Sequence, residues 1–321
     1  MTVDTAGAPT RVLYIGGEGR SGSTVLERRL GATPGACGVG ELKYLFGRGV
    51  GDRELCGCGR PVVECPLWAE VGKRLVGGWD TARGKEIVAF FRTVNEPRHL
   101  GELVLGRGRL AARAQEELAR LYSLIAEIAQ ASLIVDSSKH PGWAFLLSRT
   151  SGVDLRVVHL IRHPSGVAHS WSKPVRRPQA PPGSTGEEFI PAHRAWEVAV
   201  RWDVFNTLFH VLEARGVPTQ RLRYEDYVTD PRRAVQQGLA LFGLPDADPM
   251  DGAVNHGIAG NPARFASTAE RVRADERWIT ELDEDEHRLV SAITFPVRWV
   301  YGYRADRSDY LRHVESDQPA G

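Results

Sequence analysis

The chain has 321 residues, of which 42% are hydrophobic and 25% charged, and its formal net charge is +1. That length suits one large domain or two small ones with an ample core. The near-neutral charge excludes the global basic field that nucleic acid or anionic lipid would recognise. The lack of any run of about eighteen apolar residues excludes a membrane-spanning helix. The cations are mostly arginine; the lysines are Lys43, Lys73, Lys85, Lys139 and Lys173 alone. The N-terminal MTVDTAGAPTR lacks the basic and apolar regions of a signal peptide, so a disordered tail over 1–10 and a cytoplasmic location are expected. Four cysteines do not make a disulfide scaffold.

No internal repeat of fixed period is present. In chain order, RVLYIGG at 11–17 reads as a buried strand ending in glycine, and STVLERRLG at 23–31 as a helix stopped by Gly31. A short strand near Ala36–Val39 carries Glu41 at its end. Residues 66–131 read as a helical insertion, with a long helix from Arg109 to Ala131. Two more buried strands follow, SLIVDSS ending near Asp136 and LRVVHLIRH ending near Arg162. Each precedes a proline, Pro141 or Pro164, suited to a first helical turn. Residues 173–190, KPVRRPQAPPGSTGEEFI, form the clearest loop, either an active-site flap or a plain surface insertion. A long helix from Pro191 to about Arg215, a strand ending near Tyr224, and helices after Pro231 complete the pattern, with a polar tail over 304–321.

Strands alternating with helices predict an α/β chain: a P-loop-type three-layer fold whose central parallel sheet is flanked by helices, in one domain over 11–303. Ligands in such folds lie beyond the carboxyl ends of the strands, where the polar residues cluster.

The stretch YIGGEGRSGSTVL at 14–26 is nearly the phosphate-cradling motif G-x-x-x-x-G-K-[ST]. Gly17, Gly22 and Thr24 are in register, but Ser23 stands in the lysine slot. Backbone N–H groups from Gly19 to Thr24 at a helix start can still hold a tetrahedral oxyanion. Arg20 offers a cation, and Ser21, Ser23 and Thr24 offer hydroxyls. Without the lysine the loop is ill suited to a nucleoside triphosphate with magnesium. The alternative is a glycine-rich turn with no ligand. In LIRHPSGVAHSW at 160–171, Arg162 leaves a strand end and Ser170 lies on the next helix, a pair that suits a phosphate monoester. A capping arginine and a surface serine are the plainer reading.

Together, GEGRSGSTVL and LIRHPSGVAHSW resemble the paired signatures of the sulfotransferases that use 3′-phosphoadenosine 5′-phosphosulfate (PAPS), with the bacterial members nearest. The resemblance extends to VDSSKHP at 135–141, LRYEDYVTDP at 222–231 and HGIAGNPARF at 256–265. It implies that Gly19, Arg20, Ser21, Gly22, Ser23 and Thr24 hold the 5′-phosphosulfate and that Arg162 and Ser170 hold the 3′-phosphate. It carries Tyr224 toward the adenine and Arg264 toward the 3′-phosphate more loosely, and the R-K-G trio of the cytosolic enzymes is missing. It implies transfer of a sulfuryl group to a hydroxyl by in-line displacement, with 3′,5′-adenosine bisphosphate as product and no metal required. Small molecules, carbohydrates and lipid headgroups are all admissible acceptors, and nucleic acid is not expected. Oligomeric state is not readable.

Such a reaction needs a general base. The resemblance puts Glu41 there, with Lys43 close in sequence; His140, His163 and His256 are the histidine alternatives. Lys139 is expected to stabilise the bridging oxygen or the sulfonate, or to be a surface lysine. Asp136 is read as bonded to a turn, and Trp171 as core. A magnesium-dependent P-loop kinase and a non-catalytic nucleotide-binding protein of the same fold are the competing readings. Cys56, Cys58 and Cys65 lack paired C-x-x-C knuckles and have no histidine adjacent in sequence, so no metal is expected. The resemblance implies a structural loop there, with a disulfide between Cys65 and one of the other two.

Overall fold

A computed structural model of the chain describes residues 7–176, 189–250, 252–265 and 274–307. The apolar runs become strands β1 (Thr10–Gly16), β2 (Ala36–Gly40), β3 (Leu133–Lys139) and β4 (Val153–Ile161). Helix α1 (Ser23–Gly31) joins β1 to β2, and α2 (Pro66–Val76), α3 (Ala82–Val94), α4 (Leu100–Leu105) and α5 (Arg109–Ala129) fill the interval before β3. Helices α6 (Pro141–Leu147) and α7 (Pro164–Trp171) follow β3 and β4, each opened by the expected proline. The short β5 (Val175–Arg176) and β6 (Phe189–Ile190) pair antiparallel. Then come α8 (Ala195–Ala214), β7 (Thr219–Arg223), α9 (Tyr224–Thr229) and α10 (Pro231–Ala240), and finally α11 (Trp278–Glu281), α12 (Glu284–Ile293) and α13 (Val297–Val300).

The central sheet has the order β2-β3-β1-β4-β7, and every pairing in it is parallel. A parallel sheet covered on both faces needs apolar side chains on both, and β1 shows why the strands read as unbroken hydrophobic runs. Leu13 and Ile15 face a layer built on α1 and α10, with Leu26, Leu30, Val235 and Leu239. Val12 and Tyr14 face the other layer, with Leu118, Leu121 and Tyr122 of α5, Phe145 of α6 and Phe209 of α8. The three-layer α/β architecture expected from the sequence is the one observed.

One expectation at the margins needs adjustment. Thr10, assigned to a disordered tail, opens β1 and donates its N–H to the Gly152 carbonyl at 2.8 Å, so pairing with β4 orders it. Most of the 173–190 loop (177–188) lies outside the described residues, as do 1–6 of the first tail and 308–321 of the last.

From β1 the chain crosses to the sheet edge at β2, returns as β3, and crosses to the other side of β1 as β4. The carboxyl ends beside this reversal collect the polar residues in one place. The β1–β3 register shifts between Tyr14 and Gly16, which sets Lys139 opposite Gly16 at the mouth of the glycine loop. A distant segment completes the rim. Ile258 donates to the Val39 carbonyl at 2.9 Å and accepts from the Glu41 N–H at 2.8 Å, straddling Gly40. Gly40 has φ +68°, and a Cβ there would lie 2.4 Å from the Ile258 nitrogen, so glycine alone permits this approach. Among the described residues no helix is long and apolar enough to cross a membrane.

Candidate active site

The loop from Gly17 to Gly22 wraps the start of α1. Arg20 and Gly22 both adopt positive φ, +69° and +86°. For arginine that conformation costs about 1–2 kcal/mol. Left-handed residues alternating in a loop turn successive N–H groups inward, the geometry of an anion nest. Helix α1 then adds the unpaired donors of its first turn and the positive end of its dipole. The Arg20 guanidinium lies 4.6 Å over the Trp171 ring, with its Nε and Nη2 buried and lacking a hydrogen-bond partner in the protein. Burial pulls its pKa down, and Glu41 opposes that shift.

A cavity of about 1190 Å³ opens above these elements. Its wall includes Gly19, Arg20, Gly22, Ser23 and Thr24 of the loop and helix start, Glu41 and Lys139, Arg162 and Ser170, and Tyr224. Sequence reasoning named all of these. Ser21 is the exception within the loop. Its hydroxyl is buried without a partner, and the residue is not part of the cavity wall.

Arg162 comes off the end of β4 and locks the loop from behind. It donates to the Arg20 carbonyl at 2.9 Å and to the Asp275 carbonyl at 2.6 Å, and its guanidinium lies 4.6 Å over Tyr224. The Asp275 carboxylate stands 3.4 Å away. Burial pushes the Asp275 carboxyl up, but Arg277 and Arg162 outweigh it and hold it at about 2. Ser170, one helix turn and more beyond Arg162, is half-buried on the same wall.

Glu41 and Lys139 form an ion pair with Oε1 and Nζ 2.5 Å apart, both side chains largely buried. Lys139 has φ +66°, a second strained residue at the rim. Asp136 is spent one layer below: Ser138 donates to it from N–H at 2.7 Å and from Oγ at 2.6 Å, and the Tyr122 hydroxyl donates as well. Burial raises its pKa to about 6 against those bonds. Ser138 Oγ in turn accepts the Lys43 N–H at 2.9 Å, which fixes the turn after Glu41. Burial lowers the Lys43 pKa to about 8, although Glu41 favours its charge.

The three histidine alternatives separate. His140 lines the cavity next to Lys139; its Nδ1 is buried with no partner, and burial, aided by Lys43, holds its pKa well below normal. His163 lies behind β4, stacked on Trp278 at 4.3 Å, and accepts the Ser165 N–H. His256 lies among the cysteines.

Arg264 is not where the resemblance put it. It is buried away from the cavity and donates to the carbonyls of Gly257, Ala259 and Leu55. Three backbone acceptors converge on its Nη1 and Nη2, so it braces the 255–260 segment against Leu55. Trp171 departs from its expected role in the other direction. It packs on the core yet lines the cavity, held between Arg20 and Arg201, whose guanidinium lies 5.0 Å from the ring. Arg201 of α8 also grips the buried Glu18 in the loop, at 2.9 Å and 2.8 Å. Sequence reasoning missed both Arg201 and Glu18. Arg201 sits mid-helix in no motif; Glu18 lay in plain view inside the loop, and an acid beside an anion nest signals a buried counter-cation.

The cysteine expectation is also overturned. Cys37, Cys56, Cys58 and Cys65 are all free, so the implied disulfide is not formed. Folding brings His256 to the cluster instead, with Nδ1 3.2 Å from Cys65 Sγ and 3.9 Å from Cys56 Sγ.

No family model and no curated protein matches the chain. Among solved structures it is similar to the sulfotransferase domain from the Synechococcus PCC 7002 olefin synthase, at 18% identity, with 94% of this chain and 97% of that one covered and a TM-score of 0.49. It is similar to the sulfotransferase domain from the curacin biosynthetic pathway at 18% identity, with 90% and 99% covered and a TM-score of 0.48. It is also similar to sulfotransferase STF1 from Mycobacterium tuberculosis H37Rv at 15% identity, with 97% and 76% covered and a TM-score of 0.44.

Proposed function

We propose that this chain is a sulfotransferase that uses PAPS as donor and the hydroxyl of a small molecule, carbohydrate or lipid headgroup as acceptor. The observation that carries the reading is the union of both motif elements with an acid–base pair in one cavity: Arg20, Arg162 and Ser170 share a wall with Glu41 and Lys139. Unpartnered buried nitrogens on Arg20 fit a bound anion, since buried polar groups are otherwise satisfied.

The nest, Arg20, Ser23 and Thr24 would hold the 5′-phosphosulfate, and Arg162 with Ser170 the 3′-phosphate. When bound, PAPS supplies an activated sulfuryl group and departs as 3′,5′-adenosine bisphosphate. Glu41 takes the proton of the acceptor hydroxyl. Lys139 offsets the negative charge that builds on the transferring and leaving oxygens. The side chains are fixed before substrates arrive, so positioning and preset charge supply most of the catalysis.

At about 1190 Å³ the cavity exceeds the ordinary small-ligand range of about 300–1,000 Å³, which leaves room for donor and acceptor together. Pro97 and Leu100 from the helical insertion, Ile190 and Pro191 beside the long loop, and Phe205 of α8 supply an apolar wall. The acceptor hydroxyl is therefore carried on a partly apolar body.

The test is calorimetric titration with 3′,5′-adenosine bisphosphate without magnesium, alongside an acceptor screen with labelled PAPS. Tight bisphosphate binding with far weaker AMP binding supports the reading. Equal binding of AMP, or ATP turnover with magnesium and indifference to PAPS, overturns it. Bisphosphate binding with no transfer to any acceptor favours a non-catalytic binder of the same fold.

A further inference from the structure

Two neighbouring segments and a third, distant in sequence, meet at one point. The first is a tight turn: Cys56 N–H donates to the Arg60 carbonyl at 2.7 Å, Gly59 N–H to the Cys56 carbonyl at 2.9 Å, and Leu55 bridges Pro61. Cys56 and Cys58 lie on it. The second is the residue before α2, Cys65. The third carries His256, whose carbonyl accepts from Trp68 Nε1 at 2.9 Å. Gly57 N–H reaches the Gly257 carbonyl at 3.0 Å, and the Arg264 fork ties Leu55 to the same segment.

The three Sγ atoms and the His256 nitrogen all lie within 4.8 Å of one another. Around a tetrahedral zinc with bonds of about 2.3 Å to sulfur and 2.0–2.1 Å to nitrogen, donor atoms stand about 3.5–3.8 Å apart. The set is thus within small side-chain rotations of a complete shell. Cys56 and Cys65 are fully buried, and Cys58 and His256 half-buried, so the shell has little room for a water ligand. Three thiols and an imidazole are soft and borderline donors, which favour zinc over magnesium or calcium.

We propose that Cys56, Cys58, Cys65 and His256 bind one Zn²⁺ in a closed, structural tetrahedral site. Each coordinating thiol gives up its proton to solvent, and the neutral His256 binds through Nδ1. Three thiolates leave the site net negative, and the buried Arg264 cation beside Leu55 stands against that charge. The ion joins the cysteine turn and α2 to the segment that straddles Gly40. It thereby clips the wall of the cavity next to Glu41 without taking part in transfer. The proposal does not depend on the sulfotransferase reading.

The experiment is metal analysis of the full-length chain purified without chelator, followed by release with a mercurial and reloading with Zn²⁺ or Co²⁺. About one zinc per chain is expected. Co²⁺ should give thiolate charge-transfer absorption and the intense visible bands of a tetrahedral site. Metal release should lower Tm by roughly 5–10 °C, reversibly. Cys65→Ser and His256→Ala should lose most of the bound zinc, and Cys37→Ser should keep it. Because a cysteine variant can misfold, the Co²⁺ spectrum of the unmutated chain decides independently. A chain that retains no zinc after loading and desalting, an octahedral Co²⁺ spectrum, or a disulfide among these cysteines in protein purified without reductant overturns the proposal.

Discussion

Lys139 Nζ stands 2.5 Å from Glu41 Oε1 at the mouth of the glycine loop, at the ends of two neighbouring strands. A base held by an ammonium is oriented as well as charged. Glu41→Gln should lower kcat on the order of a hundredfold or more while leaving bisphosphate affinity within about threefold. Steady-state transfer assays and calorimetry check both halves. Lys139→Met should cost a similar factor, and the double variant less than the product of the two, because the pair acts as a unit. Full activity in Glu41→Gln would move the base to His140, the histidine on the cavity wall.

Arg162 spends its guanidinium on the Arg20 carbonyl and on Asp275. A lysine cannot span both and still face a phosphate. Arg162→Lys should weaken 3′,5′-adenosine bisphosphate binding by about 10–100-fold, the worth of a charge-assisted contact, and AMP binding far less. Ser170→Ala should follow the same pattern with about a tenfold loss. A uniform loss for both nucleotides would place these side chains on something other than the 3′-phosphate.

Trp171 lies between two arginines, Arg20 at 4.6 Å and Arg201 at 5.0 Å. Such contacts are worth about 0.5–2 kcal/mol each. Trp171→Ala should weaken bisphosphate binding about tenfold, and Trp171→Phe should retain most of the affinity. Unchanged binding in the alanine variant would show that the ring only packs.

Glu27 of α1 is buried and accepts the Gly40 N–H at 3.1 Å. Burial raises its pKa from 4.5 to about 7. The fold therefore prefers the protonated acid. That preference is intact below about pH 4.5, is lost as pH climbs to about 7, and above that leaves a cost of at most about 3 kcal/mol. Glu27→Gln keeps the acceptor without the charge. It should raise stability by about 1–3 kcal/mol at pH 8 and change little near pH 4.5. Denaturant unfolding at the two pH values checks this; an equal gain at both would remove the titration argument.

The strands and the glycine loop were legible because their signals are local: apolar runs, a terminal glycine, and a proline at the start of α6 and of α7. Arg162 and Lys139 could be placed because each leaves a readable strand end. Other features depend on where distant segments land. Nothing near His256 announces three cysteines, since Cys65 lies 191 residues and Cys56 200 residues before it. Arg264 stands in a motif that suggested a phosphate, yet three backbone carbonyls claim its donors. Arg201 reads as one more charge on a helix face until α8 packs across the loop.

β2 ends the sheet, and an outermost strand with bare amides is an invitation to a neighbouring molecule. Ile258 occupies those hydrogen-bonding groups on both sides of Gly40. The tether that shapes the cavity rim thus also acts as a selvedge. A lesion that frees it should expose a sticky margin, and loss of activity should arrive together with self-association.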